Sequence, residues 1–255
     1  EQVTNSMQKQ PASNEKSAAP DWAKNANIYE VNIRQYTPEG TFQAFQEGHL
    51  ERLNKMGVDI LWIMPIFPIS EKKRKATGDL MVHEIEDEAA RKEYLGSYYS
   101  ISDFRAINPE FGTLEDFKRL LNEAHSYGMK VILDWVPNHT GWDHTWIKTH
   151  PEYYTKVAGA ITEPLDPETG KSLGWADVAD LNYDNQAMRA AMIADLLYWV
   201  NDIGVDGFRM DIAHGVPLDF WQTAIPTLSA ANEVIFMLAE SALPEQVKSD
   251  NLFTM

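Results

Sequence analysis

Three apolar stretches of this chain end in residues that can carry charge or move a proton: Leu133-Asp134-Trp135-Val136-Pro137-Asn138-His139, Gly207-Phe208-Arg209-Met210-Asp211 and Met237-Leu238-Ala239-Glu240. Side chains alternate along an extended strand, so Arg209 and Asp211 share one face while Phe208 and Met210 share the other. A guanidinium beside a carboxylate holds it ionised. Taken alone, Arg209 and Asp211 read equally well as a buried ion pair that satisfies itself. Glu240 changes that reading, because a second carboxyl group at the same edge of a neighbouring strand leaves one acid paired to Arg209 and the other poised to keep a proton. Two carboxyl groups about 5 to 5.5 Å apart are what a retaining glycosidase requires. Asn138 and His139, a turn residue and a loop histidine by themselves, stand at a third such strand end.

The elements that must position these groups follow from periodicity. Residues 28–33 read as a strand, and Phe42, Phe45, His49, Leu53 and Met56 then keep helical spacing up to Gly57, a natural helix stop. Residues 58–64 form a second strand, whose helix starts at a Thr113 cap and stops at Gly128. Between them the charged stretch 71–93 reads as a solvated excursion, since blocks of charge do not enter a core. Residues 129–136 form the third strand. The polar segment 138–180 is too long for a simple connection and reads as a small inserted domain. A stripe of Met188, Met192, Leu196, Trp199 and Ile203, strand 205–211, helix 218–228 and strand 234–239 complete five β-α units, which predict a parallel sheet with helices outside. In such folds functional groups collect at the carboxyl ends of the strands.

Composition removes several classes of function. Acidic residues outnumber basic ones by 38 to 22, a formal charge of -16, which repels nucleic acid and anionic lipid. There is no cysteine, hence no disulfide, thiolate metal site or cysteine nucleophile. The longest apolar runs fall short of the roughly 20 residues that span a bilayer, so no membrane insertion is expected. No phosphate-cradling glycine loop follows a strand, and no organic cofactor is expected. His83, His125, His144 and His150 lack metal-ligand spacing and read as surface residues. Residues 1–21 form a polar, flexible tail of the kind that tethers an exported domain, which predicts an extracytoplasmic location.

The strand-end motifs resemble those of the α-amylase family of glycoside hydrolases, whose catalytic domain is a (β/α)8 TIM barrel with a small domain inserted after the third strand. Asp134 to His139 resembles the family's first motif, Asp180-Leu181-Asn182 the motif closing the insertion, Gly207 to Asp211 the second and Leu238-Ala239-Glu240 the third. The resemblance runs from about residue 22 to the end and divides the chain into tail 1–21, barrel strands one to three at 22–137, insertion 138–180, and strands four and five at 181–255. It implies a retaining hydrolase of α-1,4-glucosidic bonds in starch-like glucans, working through a covalent glycosyl-aspartate. Asp211 would be the nucleophile, Glu240 the acid and then base, and Arg209 the group orienting Asp211. Tyr99 would stack under the sugar next to the scissile bond, His139 would donate to that sugar, and His214 would face the far side of the cleavage site. Asn138, Asp180 and the Gly215 carbonyl resemble calcium ligands, a hard cation suited to oxygen donors.

The chain departs from the family at three places. His214-Gly215 stands where many amylases carry Lys-His, and Ser97-Tyr98-Tyr99 replaces His-Gly-Tyr. The fourth motif, with the third carboxylate, has no counterpart before Met255, so only about five β-α units are expected and the 255 residues alone are expected to be inactive. A glucan transferase or α-glucosidase on the same barrel, and a non-catalytic binding or partner subunit, are the competing readings.

Overall fold

The computed structural model describes residues 20–244 and residue 253; most of the expected tail lies outside the described residues. Five parallel strands form one sheet in chain order: β1 (Ile28–Val31), β2 (Ile60–Ile63), β3 (Lys130–Trp135), β4 (Gly207–Met210) and β5 (Phe236–Ala239). Four long helices connect or follow them: α1 (Phe42–Lys55), α2 (Leu114–Ser126), α3 (Gln186–Tyr198) and α4 (Leu218–Ala231). None of the described helices is long and apolar enough to cross a membrane.

Three of the four helices begin where a side chain satisfies free amides. Thr113 Oγ1 accepts from the Asp116 amide at 3.2 Å, and Asp116 Oδ2 accepts from the Thr113 amide at 2.7 Å, a reciprocal cap that fixes the start of α2. Thr41 and Asn185 cap α1 and α3 from one side only, and α4 starts after Pro217 with no side-chain cap. α3 widens into a π turn at Trp199–Ile203 and stops at Gly204, whose φ of 92° suits glycine. β1 is shorter than residues 28–33 because the Asn32 side chain accepts from the Gln35 amide and starts a single helical turn, Ile33–Tyr36.

The sheet is apolar on its helix-facing side. Trp135 and Phe208 are fully buried there, with ring centroids 5.5 Å apart, and Trp135 also packs on Phe67 at 5.3 Å and Phe104 at 4.8 Å. On the opposite, inner face Ile60, Ile132 and Phe236 form a small buried apolar cluster, closed at the amino-terminal end by Trp22, 5.7 Å from Phe236. Gly207, at φ 151°, faces the Phe236 backbone so closely that a Cβ would stand 1.8 Å from its carbonyl oxygen. Only glycine lets β4 and β5 approach there.

Two excursions leave this frame at its carboxyl edge. Residues 71–93 are mostly exposed, though Val82 is buried and a bridge joins Lys75 to Met81. Residues 139–180 hold two small antiparallel pairs, His139–Gly141 with Val178–Asp180 and Lys156–Val157 with Ala160–Ile161. One histidine expected on the surface is not there: His144 is buried among Phe104 and Trp146, and burial pushes its ring down to about 3, so it stays neutral. Hydrophobic packing of an imidazole leaves no trace in sequence spacing.

Candidate active site

The carboxyl ends of β3, β4 and β5 deliver three acids to one guanidinium. Asp134 and Arg209 face each other in the strand register. Arg209 Nη1 lies 2.9 Å from Asp134 Oδ1 and 2.9 Å from Asp211 Oδ1, while Nη2 lies 3.0 Å from Glu240 Oε2. Trp62 on β2 donates its indole N–H to Asp134 Oδ2 at 3.0 Å and lays its ring under Arg209, 4.9 Å from the guanidinium carbon. The Tyr99 hydroxyl donates to the same Asp134 oxygen at 3.1 Å. Charge-assisted bonds of this kind fix the inner side chains in one geometry.

One cation among three carboxylates cannot keep them all ionised. Burial, then the charge on Asp134, pushes the Asp211 carboxyl up to about 7 against the pull of Arg209, and Glu240 adds to the rise. Burial also pushes Asp134 up to about 6, opposed by Arg209, Trp62 and Tyr99. Glu240 behaves differently: burial would raise it, but the Ile212 amide, Arg209 and the Asp211 side chain hold it below the usual glutamate value. Its side chain is half exposed, whereas that of Asp211 is 11 % exposed. Arg209 therefore pairs with both acids instead of one, and in the free cleft burial and the neighbouring carboxylates raise Asp211 while Glu240 is held low. The two carboxyl groups act on each other, each shifting the other's titration, so they titrate as a pair.

The Glu240 contact depends on an unusual backbone. Ile212 has φ 46° and ψ 47°, a left-handed conformation that a β-branched residue rarely adopts. It aims the Ile212 amide at Glu240 Oε2, 3.0 Å away, and the next amide, of Ala213, donates to the Glu240 carbonyl. Strain of about 1–3 kcal/mol is stored where the acids meet.

Asp211 opens into a cleft of about 430 Å³ bounded by Tyr99, His139, Trp175, Asp177 and Lys75. His139 is buried, and burial pushes it down to about 4, which leaves a neutral ring able to donate one hydrogen bond. A concave site with a buried aspartate, an uncharged donor and aromatic walls suits a polyhydroxylated ring, whose hydroxyls need partners and whose C–H faces need apolar surface.

Comparison with known proteins agrees with this chemistry. The family model "Alpha amylase, catalytic domain" matches residues 12–162 and 172–246. The chain belongs to the alpha-amylase family. It is 32% identical to alpha-1,4-glucan:maltose-1-phosphate maltosyltransferase of Corynebacterium pseudotuberculosis over 79% of this chain and 29% of that protein. It is 27% identical to alpha-amylase 3 of Dictyoglomus thermophilum over 86% of this chain and 44% of that protein. Among solved structures, an alpha-amylase from Lactobacillus plantarum superposes with a TM-score of 0.73 at 42% identity, covering 86% of this chain and 46% of that one. The chain thus spans less than half the length of these relatives. The alpha-amylase catalytic domain is a (β/α)8 barrel, and the five parallel strands make up part of one.

Within this alpha-amylase domain, Tyr99, His139, Arg209, Asp211 and Glu240 come together, while His214 is exposed beside Glu240 in the turn Ala213–Gly215. Sequence reasoning named Asp134 as part of the first motif without giving it a role, and did not pick out Trp62, Trp175 or Lys75. Asp134 carried a usable signal, since it stands near the end of β3 on the inner face two residues after Ile132. Trp62 carried a weaker one, the same period of two on β2. Lys75 lies in the charged excursion, which supplies a wall of the cleft as well as solvated surface.

Asn138 and Gly215 meet as neighbours, and Asp180 lies one residue along from Asn138 across a strand pair. Asn138 Oδ1 lies 2.7 Å from where a Gly215 Cβ would stand, and Asp180 pairs with His139 in the strand register. Among the described residues no three Asp, Glu or His side chains gather to hold a metal, so an ion here would rely on amide and carbonyl oxygens beside one carboxylate.

Proposed function

We propose that this chain carries the catalytic pair of a retaining hydrolase of α-1,4-glucans. The observation that carries the reading is the joint attachment of Asp211 and Glu240 to Arg209 at the carboxyl ends of adjacent parallel strands, with Asp211 lining a cleft walled by Tyr99 and His139. An Asp211 oxygen attacks the anomeric carbon as its bond to the glycosidic oxygen breaks, and Glu240 passes a proton to that departing oxygen. Water then gives its proton to Glu240 while its oxygen displaces Asp211. In the free cleft Asp211 is the raised carboxyl of the pair. A bound sugar covers half-exposed Glu240 and brings developing positive charge to Asp211, and both effects move the proton to the glutamate. Asp134 and Trp62 keep Arg209 in register, and Tyr99 and His139 position the ring.

A second reading, transfer to a sugar hydroxyl in place of water, is favoured by the likeness to a maltosyltransferase. Product analysis with maltooligosaccharides, with and without an added acceptor, separates the two. The hydrolase reading is tested by Asp211→Asn and Glu240→Gln in the full-length protein. Both must lose turnover, and only the glutamate variant must recover on substrates whose leaving group needs no protonation. Wild-type activity in either variant refutes the assignment.

We further propose calcium at Asn138, Asp180 and the Gly215 carbonyl. These oxygens suit a hard cation, which would join the insertion to the turn after β4 and take no part in bond cleavage. Burial pushes the Asp180 carboxyl up to about 6, a cost that a bound cation relieves. Chelation is expected to lower the melting temperature and added calcium to restore it; a chelator-insensitive melt refutes the site.

A further inference from the structure

The segment 174–177 is held by three separate parts of the chain. Lys75 Nζ donates to the Gly174 carbonyl at 2.6 Å, the Trp142 indole donates to the Ala176 carbonyl at 3.0 Å, and Ser100 Oγ donates to the Asp177 carbonyl at 3.1 Å. Trp175 sits between these pinned carbonyls, lines the same cleft as Asp211, and meets the His139 ring edge-on at 6.0 Å. Of the three tethers, Trp142 belongs to the insertion itself and Ser100 to the segment before α2, whereas Lys75 reaches across from the charged excursion. A loop that merely covered the insertion would not need a donor for nearly every carbonyl. Anchoring at this density fixes the place of a side chain before a ligand arrives, which lowers the entropy cost of binding. A fixed indole offers a flat apolar face to the C–H face of a pyranose.

We propose that Trp175 is a stacking wall for a glucose unit of the bound glucan, and that Lys75 is the positioning residue that sets its place through the Gly174 carbonyl. This rests on the reading of the cleft as an α-glucan site. It also assigns the excursion a part in binding: its lysine acts on substrate through the backbone that carries Trp175. Loss of such a contact removes binding made equally in the ground and transition states, so it raises KM and spares kcat.

The test uses the full-length protein and a soluble maltooligosaccharide, with kcat and KM measured separately. Trp175→Ala is expected to raise KM by about tenfold and to leave kcat within about twofold, as expected for one stacked aromatic contact. Lys75→Ala is expected to raise KM about threefold and Lys75→Arg, which keeps a donor, to stay near wild type. In the double variant Lys75→Ala/Trp175→Ala, KM should be no higher than for Trp175→Ala alone, because the lysine acts only through the indole. Additive effects, a loss confined to kcat, or unchanged KM in both single variants of an active enzyme overturns the inference. A wild-type protein inactive on every α-glucan instead overturns the reading of the site. Should Trp175→Ala fail to fold, Trp175→Phe with Lys75→Met carries the same comparison.

Discussion

The two faces of the parallel sheet are built on opposite physical terms. The helix-facing side is a continuous apolar layer in which Trp135, Phe208, Phe67 and Phe104 interlock, and its stability grows with buried area. The inner side has a small apolar floor of Ile60, Ile132 and Phe236, and above it three carboxyl groups around one guanidinium. Such a cluster is weak support for stability, because the desolvation of its charges offsets most of their attraction. The contrast teaches that the helix-facing layer makes the strands adjacent and that this adjacency, with the strand register, forces the acids together. The polar face is carried by the apolar one.

If that division is right, substitutions on the two faces separate activity from stability. The largest effect is expected for Asp211→Asn or Glu240→Gln, with turnover of an α-1,4-glucan in the full-length protein falling by at least about a thousandfold while the circular dichroism spectrum is retained. Phe208→Ala, one residue from Arg209 but on the other face, should do the reverse. It is expected to cost about 3–5 kcal/mol in denaturant unfolding and to leave kcat of the folded fraction little changed. If Phe208→Ala lost activity without losing stability, the two faces would not be separable.

Asp134→Asn sharpens the comparison within the inner face. It removes a charge that pushes Asp211 upward and loosens the hold on Arg209, so kcat should fall roughly tenfold to a hundredfold. The acidic limb of the kcat/KM profile should move to lower pH, since Asp211 ionises more easily without that neighbour. A shift to higher pH, or none, contradicts the described electrostatics.

The smallest effect concerns stability and pH. Asp211 has its carboxyl raised to about 7 in the folded chain from an ordinary 3.8, so its protonated form contributes stability below about pH 4 that is lost as pH rises through 7. Asp211→Asn does not suffer that loss. The variant is therefore expected to be more stable than wild type at pH 8, by roughly 1–3 kcal/mol, with the advantage vanishing toward pH 4. Equal pH dependence in the two proteins would show that Asp211 is not strained by its neighbours.

Much of this arrangement was legible in the chain. Strand ends were readable because apolar runs stop at charge, and Thr113 and Gly204 mark helix boundaries by their own backbone chemistry. The pairing of Arg209 with Asp211 on one face needs only the period of two along a strand. Which carboxyl is raised and which is lowered was not readable, because that depends on burial of Asp211, exposure of Glu240 and the approach of Asp134, which come from segments far apart in sequence. His144 was misplaced for the same reason: a histidine carries no mark of the aromatic rings that will surround it.

By itself, then, the order of residues determined the parallel β-α frame and which side chains stand at its carboxyl edge, since periodicity, caps and charge act over a few residues. Tertiary structure alone decided that Asp134 and Trp62 brace Arg209, that a strained Ile212 amide holds Glu240, and that Lys75 of a charged loop anchors the wall bearing Trp175. Those relations are set by approach in space between strands and loops, and no local rule of sequence measures that distance.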